Sequence, residues 1–305
     1  MRVRLFVALA ALAAMAWAVP VTGTARFILN RAGSRAPRPV RFRVERDRGL
    51  LIATWINTSG PYAFAVDTGA GMNLITQRVA DESRLTIRNG RVTRLGGLSG
   101  ASTTSNREAV ISDISLGDRN NTLHAAKTAL VVASLPGGVD GILDPTDVYS
   151  PFGYSIDIPK RSIESFDASL GGLAPLAGEG ATVAWLQKGD LDRPFVRLGD
   201  GRLALVDTGS SFGLAVNGRD AVIVGPRGQR QAPTRDISGG AITSRRVAPT
   251  TISIGELVLR HVPTDILFGI DDDAPVILGR DVLGPFKISF DPQRRLIQFT
   301  TSRTD

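Results

Sequence analysis

The chain contains an internal repeat built on a short acidic motif. The segments "YAFAVDTGAGM" (62–72) and "LALVDTGSSF" (203–212) both place Val-Asp-Thr-Gly at the end of an apolar run. Before each aspartate, the pattern of strand, polar turn with Gly, and strand predicts a β-hairpin. A single Asp-Thr-Gly arises by chance in many chains, so the second copy in the same setting is the informative observation.

Three further landmarks follow each copy in the same order. The segment "GGLSGA" (96–101) parallels "ISGGA" (237–241), and "DISLGD" (113–118) parallels "TISIGE" (251–256). The last landmark pairs residues 139–166 with residues 275–299, with Asp157 opposite Asp291. Four landmarks in one order indicate that the two halves of the chain are copies of one unit.

The composition favours an all-β fold. The 305 residues include 33 Gly and 17 Pro, and they form many short apolar runs. We expect two homologous β-barrel lobes at 40–170 and 182–305, with a Gly/Ala-rich connector at 171–181. A pseudo-twofold axis would relate the lobes, with a cleft between them. Short helices are predicted only at 76–83 and 281–286.

The N-terminal residues form a separate element. Residues 1–25 begin with Arg2 and Arg4, continue with an apolar run, and offer small-residue cleavage sites after Ala18 or Ala25. This pattern predicts a cleaved signal peptide and hence a periplasmic or secreted protein. A membrane anchor is the alternative, but the apolar run is short for it, and later residues contain no segment able to span a membrane. With no Cys in the chain, disulfides, Cys-ligated zinc and Cys nucleophiles are excluded.

The positive charge is confined to the N-terminal region. The net charge is +7, yet residues 1–48 hold ten Arg against Glu45 and Asp47, a balance of +8, which leaves −1 for the rest. A nucleic-acid-binding protein carries its positive charge on the folded surface, so we expect no nucleic-acid partner. Residues 26–39 are interpreted as a basic linker, with a segment that folds over an acidic cleft as the alternative.

The repeated aspartate suggests a specific chemistry. A carboxylate beside an apolar strand is unfavourable unless it is hydrogen-bonded or protonated. Two copies related by pseudo-twofold symmetry would bring Asp67 and Asp207 face to face, where the pair holds one proton. One carboxylate can then act as general base on a water, and the other as general acid. Such chemistry requires no cofactor and no metal, and two His without Cys are too few to build a closed zinc site.

The double Val-Asp-Thr-Gly, followed in turn by a Gly-rich segment and by "DGILD" or "VILGRD", resembles the aspartic peptidases. This family contains two-lobed pepsin-like enzymes and single-lobe, dimeric retropepsins, and the resemblance covers roughly residues 40–300. It implies that Asp67 and Asp207 are the catalytic pair. It also implies supporting roles around the pair: Thr68 and Thr208 link the two active loops, Gly69 and Gly209 complete the turns, and the Ile-Leu pairs at 142–143 and 277–278 pack beneath.

Several positions depart from the family pattern. Asp144 stands where the pattern has Gly, although Gly279 keeps it in the second half. The first half lacks the flap Tyr of pepsin-like enzymes, and both halves carry a Gly-rich flap-like segment, which makes the chain look like a fused, retropepsin-like dimer of the bacterial type. The predicted flap and substrate-binding residues are Gly97, Leu98, Ser99, Gly100, Ser238, Gly239 and Gly240.

The resemblance implies an exported aspartic endopeptidase that acts on peptides or proteins. Because both aspartates belong to one chain, we expect a monomer. The alternative is a catalytically weak or inactive module that uses the same cleft to bind peptides or inhibit enzymes. The Asp-Thr-Gly in both halves favours the enzyme, since a binding module has no need for two carboxylates that share a proton.

Overall fold

The repeat in the sequence corresponds to two β-sheets with the same strand order. The computed structural model describes residues 36–302 except 46, 100, 177–178, 220–228, 231–232 and 236–239. In chain order, the first half contains β1 (Val40–Arg41), β2 (Arg43–Glu45), β3 (Gly49–Ile56), β4 (Ser59–Val66), β5 (Asn73–Thr76), β6 (Ile87–Gly96), β7 (Ser102–Leu116), β8 (Thr122–Val132), β9 (Gly141–Leu143), β10 (Gly153–Asp157) and β11 (Ser162–Phe166). Strands β2 to β9 form one sheet in the order β2-β3-β4-β9-β5-β8-β7-β6, and an additional β3–β7 pairing curls it toward closure.

The second half repeats this arrangement. Its strands are β12 (Gly180–Ala184), β13 (Phe195–Arg197), β14 (Leu203–Val206), β15 (Leu214–Asn217), β16 (Gln229–Arg230), β17 (Thr234–Arg235), β18 (Ala241–Ile254), β19 (Leu257–Phe268), β20 (Val276–Leu278), β21 (Phe286–Asp291) and β22 (Leu296–Thr301). The sheet order β13-β14-β20-β15-β19-β18-β16 matches β3-β4-β9-β5-β8-β7-β6 strand for strand. The parallel pairs also match, since β4–β9 and β5–β8 correspond to β14–β20 and β15–β19.

A third sheet joins the halves at the pseudo-twofold axis. Its order is β1-β11-β10-β21-β22-β12, so each half contributes three strands. At its centre β10 pairs antiparallel with β21, with Ser155 opposite Ser289 and their hydroxyls 2.7 Å apart. These two serines are equivalent positions of the repeat, so the axis passes between them. The expected all-β fold with two homologous lobes is therefore observed.

The halves also share one hydrophobic core beside this sheet. Tyr154 stacks on Phe290 with ring centroids 4.7 Å apart, and Trp185 contacts Phe290 edge-on at 6.0 Å. All three side chains are buried. Aromatic contacts of this kind bury large apolar areas, so they hold the two lobes in a fixed relation.

The repeated turn glycines have a conformational reason. Gly117 follows β7 with φ of 72°, and Gly255 joins β18 to β19 with φ of 58°. Residues with a Cβ disfavour this left-handed region, so both copies of the third landmark retain Gly there.

Three α-helices and one short 3-10 helix (Pro136–Gly138) occur among the described residues. Helices α1 (Gln77–Glu82) and α3 (Arg280–Leu283) lie at or next to the predicted positions. Helix α2 (Pro145–Tyr149) was not predicted, although Asp144 as N-cap and Pro145 at the first position are ordinary helix-start signals. No helix in the described ranges is long and apolar enough to cross a membrane.

Candidate active site

The two aspartates lie at equivalent strand ends. Asp67 follows β4 and Asp207 follows β14, and each backbone N–H donates to a carbonyl of the parallel neighbouring strand. The acceptors are Leu143 O at 3.0 Å and Leu278 O at 2.9 Å. The Ile-Leu pairs of β9 and β20 therefore lie beside the two active loops, as the resemblance implied, and are buried.

Thr68 and Thr208 cross-link the two active loops. Thr68 Oγ1 donates to Val206 O at 2.6 Å, and Thr208 Oγ1 donates to Val66 O at 3.0 Å. Each hydroxyl also accepts the backbone N–H of the other threonine at 3.1 Å. Both side chains are buried, so this set of four hydrogen bonds fixes one loop against the other.

The glycine of each active loop lies against the carboxylate of the opposite loop. A Cβ on Gly69 would lie 2.8 Å from Asp207 Cγ, and a Cβ on Gly209 would lie 2.4 Å from Asp67 Cγ. Both distances are too short for any side chain, so only Gly allows the carboxylates to approach. Each glycine also donates its N–H at 2.8 Å to Oδ1 of the aspartate two residues before it.

The environments of the two carboxylates are unequal. Burial raises the pKa of Asp67 well above its usual range, and the charge of Asp207 raises it further. Burial also raises the pKa of Asp207, but hydrogen bonds from Asp67, Ser210 N and Gly209 N act in the opposite direction. The hydrogen bond between the two carboxyl groups raises the pKa of Asp67 and lowers that of Asp207, so Asp67 is its donor. The arrangement favours one proton shared by the pair, located mainly on Asp67.

Asp144 is a third carboxylate beneath the first loop. Its Oδ1 accepts the N–H of Thr146 at 3.0 Å as the N-cap of α2, and its own N–H donates to Asn73 Oδ1 at 3.0 Å. It is 3% exposed. Burial, together with the charges of Asp147 and Asp192, raises the pKa of Asp144 to about 7. Its charge in turn raises the pKa of Asp67.

Both active loops open into a cavity of about 480 Å³. The tip of the β6–β7 hairpin borders it through Gly97 and Leu98, and Leu98 O accepts the N–H of Asp271 at 2.9 Å. Ser99 meets the second half as well, since a Cβ on Gly240 would lie 1.9 Å from Ser99 Oγ. The predicted first flap therefore borders the cavity and touches the second half. Of the remaining flap predictions, Gly100, Ser238 and Gly239 fall outside the described residues.

Two arginines of the cavity were missed by the sequence analysis. Arg280 Nη1 donates to Thr208 O at 2.9 Å and to Gly209 O at 2.8 Å, which supports the second active loop. Its position directly after the "VILG" segment was the available signal. Arg193 also borders the cavity, but no motif surrounds it. Within the described ranges, no group of three or more His, Asp or Glu side chains is arranged to hold a metal ion.

Comparison with known proteins agrees with this geometry. Residues 52–143 match the family described as aspartyl protease. The crystal structure of an aspartic proteinase from Irpex lacteus is similar, with a TM-score of 0.58 and 13% identity over 88% of this chain and 98% of that one. At this identity the similarity shows the fold, and comparison with curated proteins gave no match. The family match in the first half and the two-lobed fold of the whole together support an aspartic peptidase family for this chain.

Proposed function

We propose that this protein is an aspartic endopeptidase that hydrolyses peptide bonds with a water held between Asp67 and Asp207. The family match and the fold support peptidase activity in general. The observation that supports the catalytic pair is the contact of each carboxylate with the glycine of the opposite loop, at distances that leave no room for a side chain. A shared proton at such a pair is the basis of metal-free hydrolysis.

The unequal environments suggest different roles for the two aspartates. Asp207 accepts N–H groups from Gly209 at 2.8 Å and Ser210 at 3.0 Å, which stabilise its ionised form. We therefore assign Asp207 as the general base that takes a proton from the attacking water. Asp67 holds the shared proton and donates it to the carbonyl oxygen of the substrate. Collapse of the tetrahedral intermediate then breaks the C–N bond: the amine leaves with the proton that Asp207 took from the water, and a hydroxyl of the intermediate returns its proton to Asp67 as the new carboxyl group forms.

The surroundings of the pair suit an extended peptide. The cavity of about 480 Å³ lies between the two lobes, and the hairpin tip at Gly97 and Leu98 borders it. Peptide backbone offers both donors and acceptors to such a hairpin, as in strand-addition modes of recognition. Peptides or proteins are therefore the proposed substrates.

Export and assembly complete the proposal. Residues 1–25 would be removed as a signal peptide, leaving a periplasmic or secreted enzyme whose basic segment 26–39 precedes the lobes. Because both halves of the catalytic pair come from one chain, the active species would be a monomer, which light scattering on the active protein can measure.

The experiment is hydrolysis of a mixed peptide library by the mature protein, with and without pepstatin. Wild type should cleave the library and pepstatin should abolish cleavage. Asp67→Asn and Asp207→Asn should each remove nearly all turnover while the circular dichroism spectrum stays unchanged. Near-normal turnover by either variant would contradict the shared-proton mechanism. Peptide binding without cleavage by the wild type would instead favour a binding or inhibitory module.

A further inference from the structure

Arg193 is held at the edge of the catalytic cavity by its backbone. Trp185 Nε1 donates to Arg193 O at 3.0 Å, and Val206 N donates to the next carbonyl, Pro194 O, at 2.8 Å. The side chain then crosses to the first active loop, where a Cβ on Gly71 would lie 3.1 Å from Arg193 Cγ. Its guanidinium packs over the ring of Phe195, 5.8 Å from the centroid. A main-chain anchor and a stacked guanidinium give Arg193 a fixed direction.

Among the residues that the structure describes, none forms an ion pair with the guanidinium of Arg193. Its Nε is buried without a hydrogen bond, and it forms no ion pair with any residue in the described ranges. Burial lowers the pKa of Arg193 and the two catalytic aspartates raise it, so the group stays charged. A buried donor left without a hydrogen bond is unfavourable, which is the situation expected of a group that is completed by a ligand.

The other arginines that border the cavity are in different situations. Arg48 also has a buried Nε without a hydrogen bond, but its Nη1 forms an ion pair with Glu45 at 3.0 Å. Arg280 donates to two carbonyls of the second active loop. Arg94 is exposed to solvent on the first hairpin. Acidic residues also line the cavity, so its net charge does not indicate what it binds. The guanidinium of Arg193, which is not neutralised by an ion pair with a described residue, is the more specific indication.

The first half has no arginine at the position equivalent to Arg193. Leu205 and Ala65 each precede an active-loop Asp by two residues, and their strand partners are Phe195 and Leu51. Two residues before these partners stand Arg193 in the second half and Gly49 in the first, so these two positions are equivalent. The space beside Gly49 is approached by Arg280 Nη1, at 3.4 Å from a Cβ built there, and that atom already serves the two carbonyls. An unpaired guanidinium therefore stands on one side of the catalytic pair.

We propose that Arg193 is a specificity-determining residue that binds a carboxylate side chain of the substrate, on one side of the scissile bond. The substrate class is thus a peptide with Glu or Asp at one fixed position near the cleavage site. Arg193 would form charge-assisted hydrogen bonds to this carboxylate, which also satisfies the buried Nε. This inference rests on the proposed peptidase function.

The test compares matched peptide pairs that differ only by Glu or Gln at each position around one cleavage site. At about pH 6 a Glu side chain is ionised, so the pair isolates the charge. Wild type should show a kcat/KM about tenfold higher for Glu than for Gln at one position on one side, as expected for one partly desolvated charge pair. In Arg193→Gln this ratio should fall to about one, whereas Arg193→Lys should keep part of it.

Arg48→Gln is the matched control, because Arg48 borders the same cavity but is already paired, and it should keep the wild-type ratio. A wild type without preference for Glu at any position would overturn the inference, even if Arg193→Gln did not fold. A Glu preference that persists in folded Arg193→Gln would overturn it as well. Failure of the peptidase proposal is distinguishable, because then no peptide of either kind is cleaved.

Discussion

Replacing Asp144 with Asn should stabilise the protein at alkaline pH but not in mild acid. Burial raises the pKa of Asp144 from an ordinary 3.8 to about 7, so the folded state binds this proton more tightly than the unfolded state does. The stabilisation from the bound proton is fully present below about pH 4 and is lost as the pH rises through 7. Above pH 7 the native protein therefore contains a buried, unfavourable charge.

The size of the effect follows from the two pKa values. They differ by about three pH units, and at about 1.4 kcal/mol per unit the ionised Asp144 destabilises the folded state by about 4 kcal/mol. Asn keeps the N-cap, because its Oδ1 can accept the N–H of Thr146 as Asp144 does at 3.0 Å. The new amide N–H₂ needs an acceptor, which offsets about 1–3 kcal/mol. A net gain of about 2 kcal/mol at pH 8 remains as the expected result.

The assay is urea unfolding of wild type and Asp144→Asn at pH 4.5 and pH 8. The matched control is Asp118→Asn, because Asp118 is exposed and a backbone hydrogen bond from Asn120 lowers its pKa, which gives the opposite pH dependence. Asp144→Asn should be more stable than wild type at pH 8 and somewhat less stable at pH 4.5, where folded wild type keeps the proton and the unpaired amide is the larger effect. An equal difference at both pH values, or a less stable Asp144→Asn at pH 8, would refute the pKa assignment.

Two further predictions concern the active loops. Thr208→Val should lower the free energy of unfolding by about 2–4 kcal/mol, because Val66 O and Thr68 N both lose a buried hydrogen-bond partner. The control is Thr251→Val, at an exposed strand position, which should change the free energy of unfolding little. Urea unfolding measures this, and a loss equal to that of the control would show that the cross-link contributes nothing. The pH dependence of peptide hydrolysis should be bell-shaped with a maximum at roughly pH 4–6, since a pair that holds one proton works between its two apparent pKa values. A maximum near pH 2 or a flat profile to pH 9 would contradict a shared proton.

The sequence predicted the parts of the site that depend on local pattern. An apolar strand ending in Asp-Thr-Gly fixes its own turn, because Gly69 N–H reaches Asp67 within three residues. A duplicated pattern then implies a duplicated structure, and the matching strand orders of the two sheets agree with it. Helix α1 was likewise visible from its own residues.

Features that depend on distant contacts were not visible in this way. The pairing of β10 with β21 joins residues 134 positions apart and has no local signal. Arg193 contacts Gly71 from the other half of the chain, and neither residue belongs to a motif that links them. Helix α2 is a different case, because its start has a local signal: Asp144 is the N-cap and Pro145 follows it at the first position.

In the proposed mechanism, differences between the two copies of the repeat give the two aspartates different roles. Ser210 N donates to the side chain of Asp207 at 3.0 Å, whereas its counterpart Ala70 N donates to the backbone carbonyl of Asp67 at 3.4 Å. The nearby charges differ in the same sense, since Asp144 raises the pKa of Asp67 and Arg280 lowers that of Asp207. Each divergence from the repeat thus moves the shared proton toward Asp67. The repeat brings the carboxylates together, and in the proposed mechanism the differences around them make Asp67 the acid and Asp207 the base.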